Sequence, residues 1–284
     1  MTPTNLAAPK ACVIGWPVSH SRSPMIHGFW LDQLKIAGSY EREAVAPQDF
    51  PEFAHSLAAR GFAGGNVTLP HKEAAFALCS RTTQTARMLQ AVNTLWFEDG
   101  LLCGDNTDAE GFLGALDQDA PGWADRAENA VVLGAGGAAR AILFALLQRG
   151  VKQISLANRT KARADDLARH FGPAVESIAY DALPAALKHA GLLVNTTSLG
   201  MKGQPPLDVD LAPLPAFAVV CDIVYVPLET DLLAAARKRG LRAVSGLGML
   251  LHQAVPGFER WFGTRPSVSQ ELRALVEADI RGAV

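Results

Sequence analysis

The sequence predicts an α/β protein built as two successive domains, and three observations predict it. Short β-like runs alternate with amphipathic helical runs over the first hundred or so residues. After a polar linker, "DAPGWADRAEN", the alternation restarts from an apolar run leading into a glycine-rich turn. The tail is helical and has no strand of its own. A chain of 284 residues is long enough for two ordinary domains with real cores.

Taken in order, "ACVIG" reads as a strand, and "SPMIHGFWLDQLKI" as a helix opened by Ser23 with Pro24 at its first position. "YEREAVA" is a second strand, "PQDFPEFAHSLAARG" a helix closed by Gly61, "GGNVTL" a third strand and "PHKEAAFAL" the start of another helix. "AVNTLWF-EDG-LLCGD" predicts a hairpin turning at Asp99-Gly100. "DAEGFLGALDQ" is helical. The second unit then runs through "AVVLGAGGAARAILFALLQRG", "KQISLANRT", "KARADDLARHFG", "GLLVNTTS", "AFAVVCDIVY", "ETDLLAAARKRG" and "LRAVSG", a doubly wound pattern. The tail, "LGMLLHQAVPGFERWFG" and "SVSQELRALVEADI", must bury its apolar stripe on one of the two domains, and Pro256-Gly257 should kink or break its first helix. The expected division is 1–108, 109–245 and 246–284, with the C-terminal helices packing back on the first domain and an active cleft between the two domains.

Composition narrows the function. Nearly half the residues are hydrophobic and the net charge is −2, which gives no reason to expect nucleic acid or an anionic membrane as partner. Apolar runs such as "AILFALLQ" are too short to span a bilayer, and "MTPTNLAAPK" lacks the pattern of a secretion signal, so a cytosolic protein is expected. Cys12, Cys79, Cys103 and Cys221 form no CxxC pair and read as reduced, mostly buried small hydrophobes. The seven histidines show no metal-binding spacing, so no metal is expected.

"VVLGAGGAARAIL" is an apolar strand, a glycine-rich turn and a helix. Gly134 permits the tight turn, Gly136 lets backbone approach a pyrophosphate, and the small Ala139 allows close helix–strand packing. In this strand–turn–helix context it reads as the phosphate-binding turn of a Rossmann-like domain, the bland alternative being a merely tight βα turn. The place of the acidic residue that accepts bonds from a free ribose 2′-hydroxyl is taken by "NRTKAR". Arg159 and Arg163 offer guanidinium forks there, with Asn158 and Thr160 as neutral donors, so the corner should prefer NADP to NAD. The bland alternative is a solvated basic helix start, although helix N-termini ordinarily favour acids.

In the first domain the polar side chains gather in loops after strands, where open α/β sheets bind ligands. Ser21 and Ser23 in "SHSRSP" could hold a carboxylate; taken alone, Ser23 reads as an N-cap and Ser21 as ordinary loop. Thr68 and Lys72 in "NVTLPHK" fall in the same region, though a lone lysine is usually solvated surface. Asn93 and Asp108 could equally be turn or cap residues.

Together, and in this order, the blocks "SHSRSP", "GGNVTLPHKE", "AVNTL", "GDNTDAEGF", "LGAGGAARA", "NRTKARA", "NTTSLGM", "DIVYVPLET" and "GLGMLLHQA" resemble the shikimate dehydrogenase family along nearly the whole chain. The resemblance implies an N-terminal α/β substrate domain, a Rossmann-like NADP domain, and the NADPH-dependent reduction of 3-dehydroshikimate to shikimate, a step towards the aromatic amino acids. It implies that Ser21 and Ser23 bind the substrate carboxylate, helped by Tyr225, and that Thr68, Asn93 and Gln253 hold the ring hydroxyls. Lys72 and Asp108 would form the catalytic pair, handling the proton on the C3 oxygen while hydride passes to or from C3. Gly134, Ala135, Gly136, Gly137 and Ala138 would cradle the pyrophosphate, with Asn158, Arg159, Thr160 and Arg163 at the 2′-phosphate. Thr196, Ile223, Gly246 and Met249 would line the nicotinamide end, although Tyr225 and Met249 could be plain core or rim residues. Two departures stand out. Ala109 follows "NTD" where the family often has glycine, and Pro256-Gly257 interrupts the last helix close behind Gln253.

The expected partners are small molecules only, and the expected working form is a monomer or homodimer. A quinate or dual quinate/shikimate dehydrogenase is the nearest alternative. Paired serines, rather than a serine and a bulkier threonine, lean towards shikimate, and the basic corner leans towards NADP. A non-catalytic NADP-binding sensor would keep the glycine-rich turn but could lose the reactive pair, and here Lys72 and Asp108 are both present.

Overall fold

The computed structural model describes residues 8–282, so "MTPTNLA", the start read above as lacking a secretion signal, lies outside the described residues. The chain divides into two compact units. One holds the residues up to Thr107 together with Gln253–Val276, and the other Asp108–His252 with the end of the chain from Glu277.

The first unit opens with strand β1 (Lys10–Gly15), helix α1 (Ser23–Leu34), β2 (Ser39–Ala44), α2 (Phe50–Ser56), β3 (Phe62–Val67) and α3 (Lys72–Leu78). A two-residue strand β4 (Arg81–Thr82) and a short helix α4 (Gln84–Leu89) precede the hairpin β5 (Thr94–Glu98) and β6 (Leu101–Asp105). The sheet runs β2-β1-β3-β5-β6-β4. β1 pairs in parallel with β2 and β3, whereas β3–β5 and β5–β6 are antiparallel. Asp99 and Gly100 both take positive φ, 53° and 75°, as a two-residue hairpin turn demands. β1 is buried on both faces. Cys12 and Ile14 join Phe50, Phe53, Leu57, Phe62, Val67 and Leu95 in one core, while aromatic residues of α1 and the tail gather separately around His27. Each large side chain so buried contributes about 1.5–3 kcal/mol.

The second unit contains α5 (Asp108–Asp119), β7 (Asn129–Leu133), α6 (Gly137–Gln148), β8 (Gln153–Ala157), α7 (Lys161–Phe171) and β9 (Val175–Ile178). After α8 (Leu183–Leu187) come β10 (Leu192–Asn195), β11 (Val219–Asp222), α9 (Asp231–Lys238), β12 (Arg242–Ser245) and α10 (Gly246–His252). Its six-stranded sheet, β12-β11-β10-β7-β8-β9, is parallel throughout. Numbered from β7, this is the doubly wound order 3-2-1-4-5-6, whose switch point falls between β7 and β10. Period-2 alternation feeds two cores. Ala130, Val132, Leu192, Val194, Val219 and Cys221 face one layer, and Val131, Leu133, Leu193 and Val220 the other.

Four expectations change. Ser23 is the first residue of α1 rather than its cap; the cap is Arg22, and no side chain caps the helix. The break in the tail helix falls at Gln253, before α11 (Ala254–Phe262), and not at Pro256-Gly257. The physical reason is that a proline ring clashes with the carbonyl four residues earlier, at position 252, while Pro256 itself sits harmlessly in the first turn of α11. β4–α4 and β9–α8 are further elements that the apolar patterning did not announce. The final helix, α12, spans Gln270–Gly282. All four cysteines are free thiols, and burial pushes Cys12 and Cys221 well up and Cys79 to about 12. Among the described residues no helix is long and apolar enough to cross a membrane.

Candidate active site

In the first unit the candidate residues stand at the C-terminal ends of β1 and β3 and at the start of β5. The Ser21–Ser23 loop leaves β1 and is pinned from β2: the Arg42 guanidinium donates to the Ser21 carbonyl at 2.7 and 3.2 Å. The two serine hydroxyls lie 3.3 Å apart, and the Ser23 N–H also reaches the Ser21 Oγ at 3.3 Å. Thr68 continues β3, its N–H donating to the Ile14 carbonyl at 2.9 Å.

Lys72 opens α3 behind His71. The His71 ring is buried, stacks on Phe50 at 4.5 Å and meets the Val45 carbonyl through Nε2 at 2.8 Å. The Lys72 carbonyl accepts from the Val92 N–H at 2.9 Å, and the Asn93 carbonyl accepts from the Val67 N–H at 2.8 Å. Backbone bonds therefore hold Thr68, Lys72 and Asn93 in one neighbourhood. The Asn93 Oδ1 accepts from the Thr107 N–H and the Thr94 hydroxyl, both at 2.9 Å. That fixes the amide with its oxygen inward. The Thr107 hydroxyl donates to the Gln253 carbonyl at 2.8 Å, which seats the residue between α10 and α11. Asp108, the next residue, opens α5 in the second unit and is buried.

In the second unit the chain turns at Gly134, where φ is +105° and an added Cβ would lie 2.6 Å from the Thr196 Oγ1. Only glycine suits both the dihedral and the approach. α6 then starts from Gly136 with no side-chain cap, and a Cβ at Gly136 or Gly137 would meet nothing within 4 Å. This is an open cradle of helix N-terminal amides with a partial positive charge, the chemistry a pyrophosphate needs. Beyond β8, the Asn158 amide donates to the Thr160 carbonyl at 2.9 Å and shapes the turn. Lys161 and Arg169 are paired with Asp165 and Asp166 at 2.6 and 3.0 Å. Among the described residues no carboxylate comes within salt-bridge distance of Arg159 or Arg163, and both are exposed. A dinucleotide carrying a further phosphate fits this donor set.

At the switch point Thr196 hydrogen-bonds the Leu133 carbonyl through both N–H (2.8 Å) and hydroxyl (2.7 Å), which fixes its place without aiming the hydroxyl outward. Ile223, Met249 and Ala135 are partly buried against one core layer. Any side chain at Gly246 would collide with the Ile223 carbonyl. Tyr225 is half-buried in the loop after β11.

Several residues that hold this arrangement went unread in the sequence. Asn66 and Tyr40 lie behind Asn93, and Arg42 holds the serine loop. Buried Asp222 accepts from Asn195 (2.9 Å), Thr230 (2.7 Å) and the Val224 N–H (3.0 Å); burial pushes its carboxyl up against these bonds. Asn66 and Asp222 were signalled only as polar letters at the ends of apolar strands, while β2, "SYEREA", is mostly polar and marks neither Tyr40 nor Arg42.

A parallel sheet in the 3-2-1-4-5-6 order, a glycine-rich uncapped helix start and a pair of arginines at the second strand define a dinucleotide-binding α/β protein with a separate polar site in its first unit. Comparison with known proteins refines that class. The profile described as "Shikimate dehydrogenase substrate binding domain" matches residues 13–95, "Shikimate / quinate 5-dehydrogenase" matches 122–201, and "Shikimate 5'-dehydrogenase C-terminal domain" matches 246–275. A protein of Methylocella silvestris named shikimate dehydrogenase (NADP(+)) is 67% identical over 280 residues, covering 99% of this chain and 100% of the relative. Shikimate 5-dehydrogenase of Thermus thermophilus, solved with NADP(H) and shikimate, superposes with a TM-score of 0.82 at 36% identity, covering 97% of this chain and 100% of that one. Quinate dehydrogenase of Corynebacterium glutamicum, solved with NAD, superposes with a TM-score of 0.88 at 30% identity, covering 95% and 99%. The chain belongs to the shikimate dehydrogenase family.

Proposed function

We propose that this protein is an NADP-dependent shikimate dehydrogenase, interconverting 3-dehydroshikimate plus NADPH and a proton with shikimate plus NADP⁺. The observation that carries the reading is the backbone-locked neighbourhood of Thr68, Lys72 and Asn93 beside the paired serines, in a chain of this family. NADP, when bound, supplies or takes the hydride at C3.

The residues of this chain do the rest. Ser21 and Ser23 donate to the substrate carboxylate, with Tyr225 assisting. Thr68, Asn93 and Gln253 hold ring hydroxyls. Lys72 and Asp108 form the catalytic pair: the Lys72 ammonium stabilises developing negative charge on the C3 oxygen and delivers or receives its proton. Gly134 to Ala138 hold the pyrophosphate, and Arg159 and Arg163, with Asn158 and Thr160, take the 2′-phosphate. Thr196, Ile223, Gly246 and Met249 form the nicotinamide end. The working form is a cytoplasmic monomer or homodimer acting on small molecules.

The likeness to a quinate dehydrogenase with NAD keeps one alternative in the test. Initial rates with shikimate and quinate, each with NADP⁺ and NAD⁺, decide it. Turnover concentrated in shikimate with NADP⁺ is expected. Comparable quinate turnover, or a preference for NAD⁺, would overturn the assignment and the role given to the two arginines.

A further inference from the structure

The site just described rests on one buried hydroxyl that the proposed reaction does not use. Tyr40, on β2, is buried and its ring stacks on His27 with centroids 3.9 Å apart and planes 4° apart. Its hydroxyl donates to the Asn66 Oδ1 at 2.6 Å. With that oxygen engaged, the other end of the amide, Nδ2, donates to the Asn93 carbonyl at 3.1 Å and to the Thr94 Oγ1 at 3.3 Å. Thr94, accepting there, donates to the Asn93 Oδ1 at 2.9 Å, which also accepts from the Thr107 N–H at 2.9 Å. Two backbone groups that cannot reverse set the polarity of the series, the Asn93 carbonyl at Asn66 and the Thr107 N–H at the Asn93 Oδ1, and the Tyr40 hydroxyl ties Asn66 into it from behind.

We propose that Tyr40 is a positioning residue for the substrate: its hydroxyl seats Asn66, whose amide holds the Asn93 main chain and the Thr94 hydroxyl and so places Asn93 against the ring hydroxyl. The assignment rests on the substrate reading given above and adds to it a residue that touches neither substrate nor cofactor. Without the phenol hydroxyl the Asn66 Oδ1 loses its partner, and the amide that holds the Asn93 carbonyl and the Thr94 hydroxyl is less firmly seated. The Asn93 amide keeps its direction through the Thr107 N–H but sits on a looser main chain.

The test is steady-state kinetics on Tyr40→Phe, which keeps the ring stack and removes only the hydroxyl. The KM for shikimate is expected to rise about tenfold, the worth of one hydrogen bond, with kcat within about threefold and the KM for NADP⁺ unchanged. Trp30→Phe is the control for a merely structural role. Trp30 belongs to the same aromatic cluster and donates to the Ser267 carbonyl at 3.0 Å, so its loss should lower Tm and leave KM unchanged. Asn66→Ala leaves the aromatic cluster whole and should reproduce the rise in KM, and adding Tyr40→Phe to it should raise KM little further. An unchanged KM in Asn66→Ala overturns the proposal whether or not Tyr40→Phe folds, as does a KM that moves equally in Trp30→Phe. Normal turnover of shikimate by the unmodified enzyme separates this failure from a wrong substrate, which would remove both readings.

Discussion

Acid should weaken the first unit through a single side chain, His27. Its ring is fully buried among Tyr40, Trp30, Phe258 and Trp261, and neither ring nitrogen has a hydrogen-bond partner. Burial drives its pKa from 6.5 down to about 3, with the Asn66 side chain working weakly the other way. The folded chain therefore refuses a proton that the unfolded chain accepts below 6.5. Stability is undiminished above that value and falls as pH drops towards 3, by up to about 1.4 kcal/mol for each pH unit. Between pH 7 and pH 5 the loss from this residue comes to about 2 kcal/mol.

Urea unfolding at the two pH values measures it. Of the five tryptophans, Trp16, Trp30, Trp96 and Trp261 lie in the first unit, so fluorescence reports mainly on that unit. The comparison protein is His27→Phe, which keeps an aromatic face against Tyr40 and cannot be protonated. Its extra ring atom brings a packing cost of about 1–3 kcal/mol, but that cost is the same at both pH values. All other titrating groups are common to the two proteins and leave the difference. The wild type should lose about 2 kcal/mol more than His27→Phe between pH 7 and 5. Equal losses would show that the ring is protonated or solvated in the folded state and would refute the reasoning.

Two further outcomes follow from the proposed chemistry. Lys72→Ala should lower kcat by about 10²–10⁴-fold with a modest change in KM, and a raised KM with intact kcat would reduce Lys72 to a binding residue. Replacing Arg159 and Arg163 by alanine should raise the KM for NADP⁺ about tenfold or more while leaving NAD⁺ kinetics almost unmoved, and equal losses with both cofactors would place the arginines elsewhere than at the 2′-phosphate.

What the sequence disclosed follows the range of the interactions involved. The Asp99-Gly100 turn was legible because a two-residue hairpin needs φ > 0 at both positions, and these residue types allow it. β7 and α6 were legible because strand, glycines and helix are contiguous. β4 and α4 were not, since two strand residues and six helical ones carry too little periodicity to register. Ser23 was misread because a serine before a proline resembles a cap, whereas the chain brings Ser21 back to the Ser23 N–H. Tyr40, Arg42 and Asn66 stayed silent for a different reason. Their partners, Asn66, Ser21 and Asn93, stand 26, 21 and 27 positions away, and no local pattern encodes such pairs.

The same reasoning accounts for the part of the tail that joins the first unit, Gln253–Val276; α10 and the chain from Glu277, expected there too, belong to the second unit. α11 buries Ala254, Val255, Pro256, Gly257, Phe258, Trp261 and Phe262 and leaves only Glu259 and Arg260 towards solvent, so its broad apolar side must be covered. The sheet receives it where a side chain is missing. Any Cβ at Gly64 of β3 would collide with the Trp261 indole, whose Nε1 donates to the Leu95 carbonyl on β5 at 2.8 Å. Phe258 meanwhile packs within 5.8 Å of His27 and 5.4 Å of Trp30. With the far end of α11 anchored in this way and its start forced by Pro256, Gln253 falls where its carbonyl meets the Thr107 hydroxyl, next to Asn93. Pro256, which the sequence marks as an interruption close behind Gln253, is thus the residue that ends α10 and lets a separate short helix seat the Gln253 carbonyl.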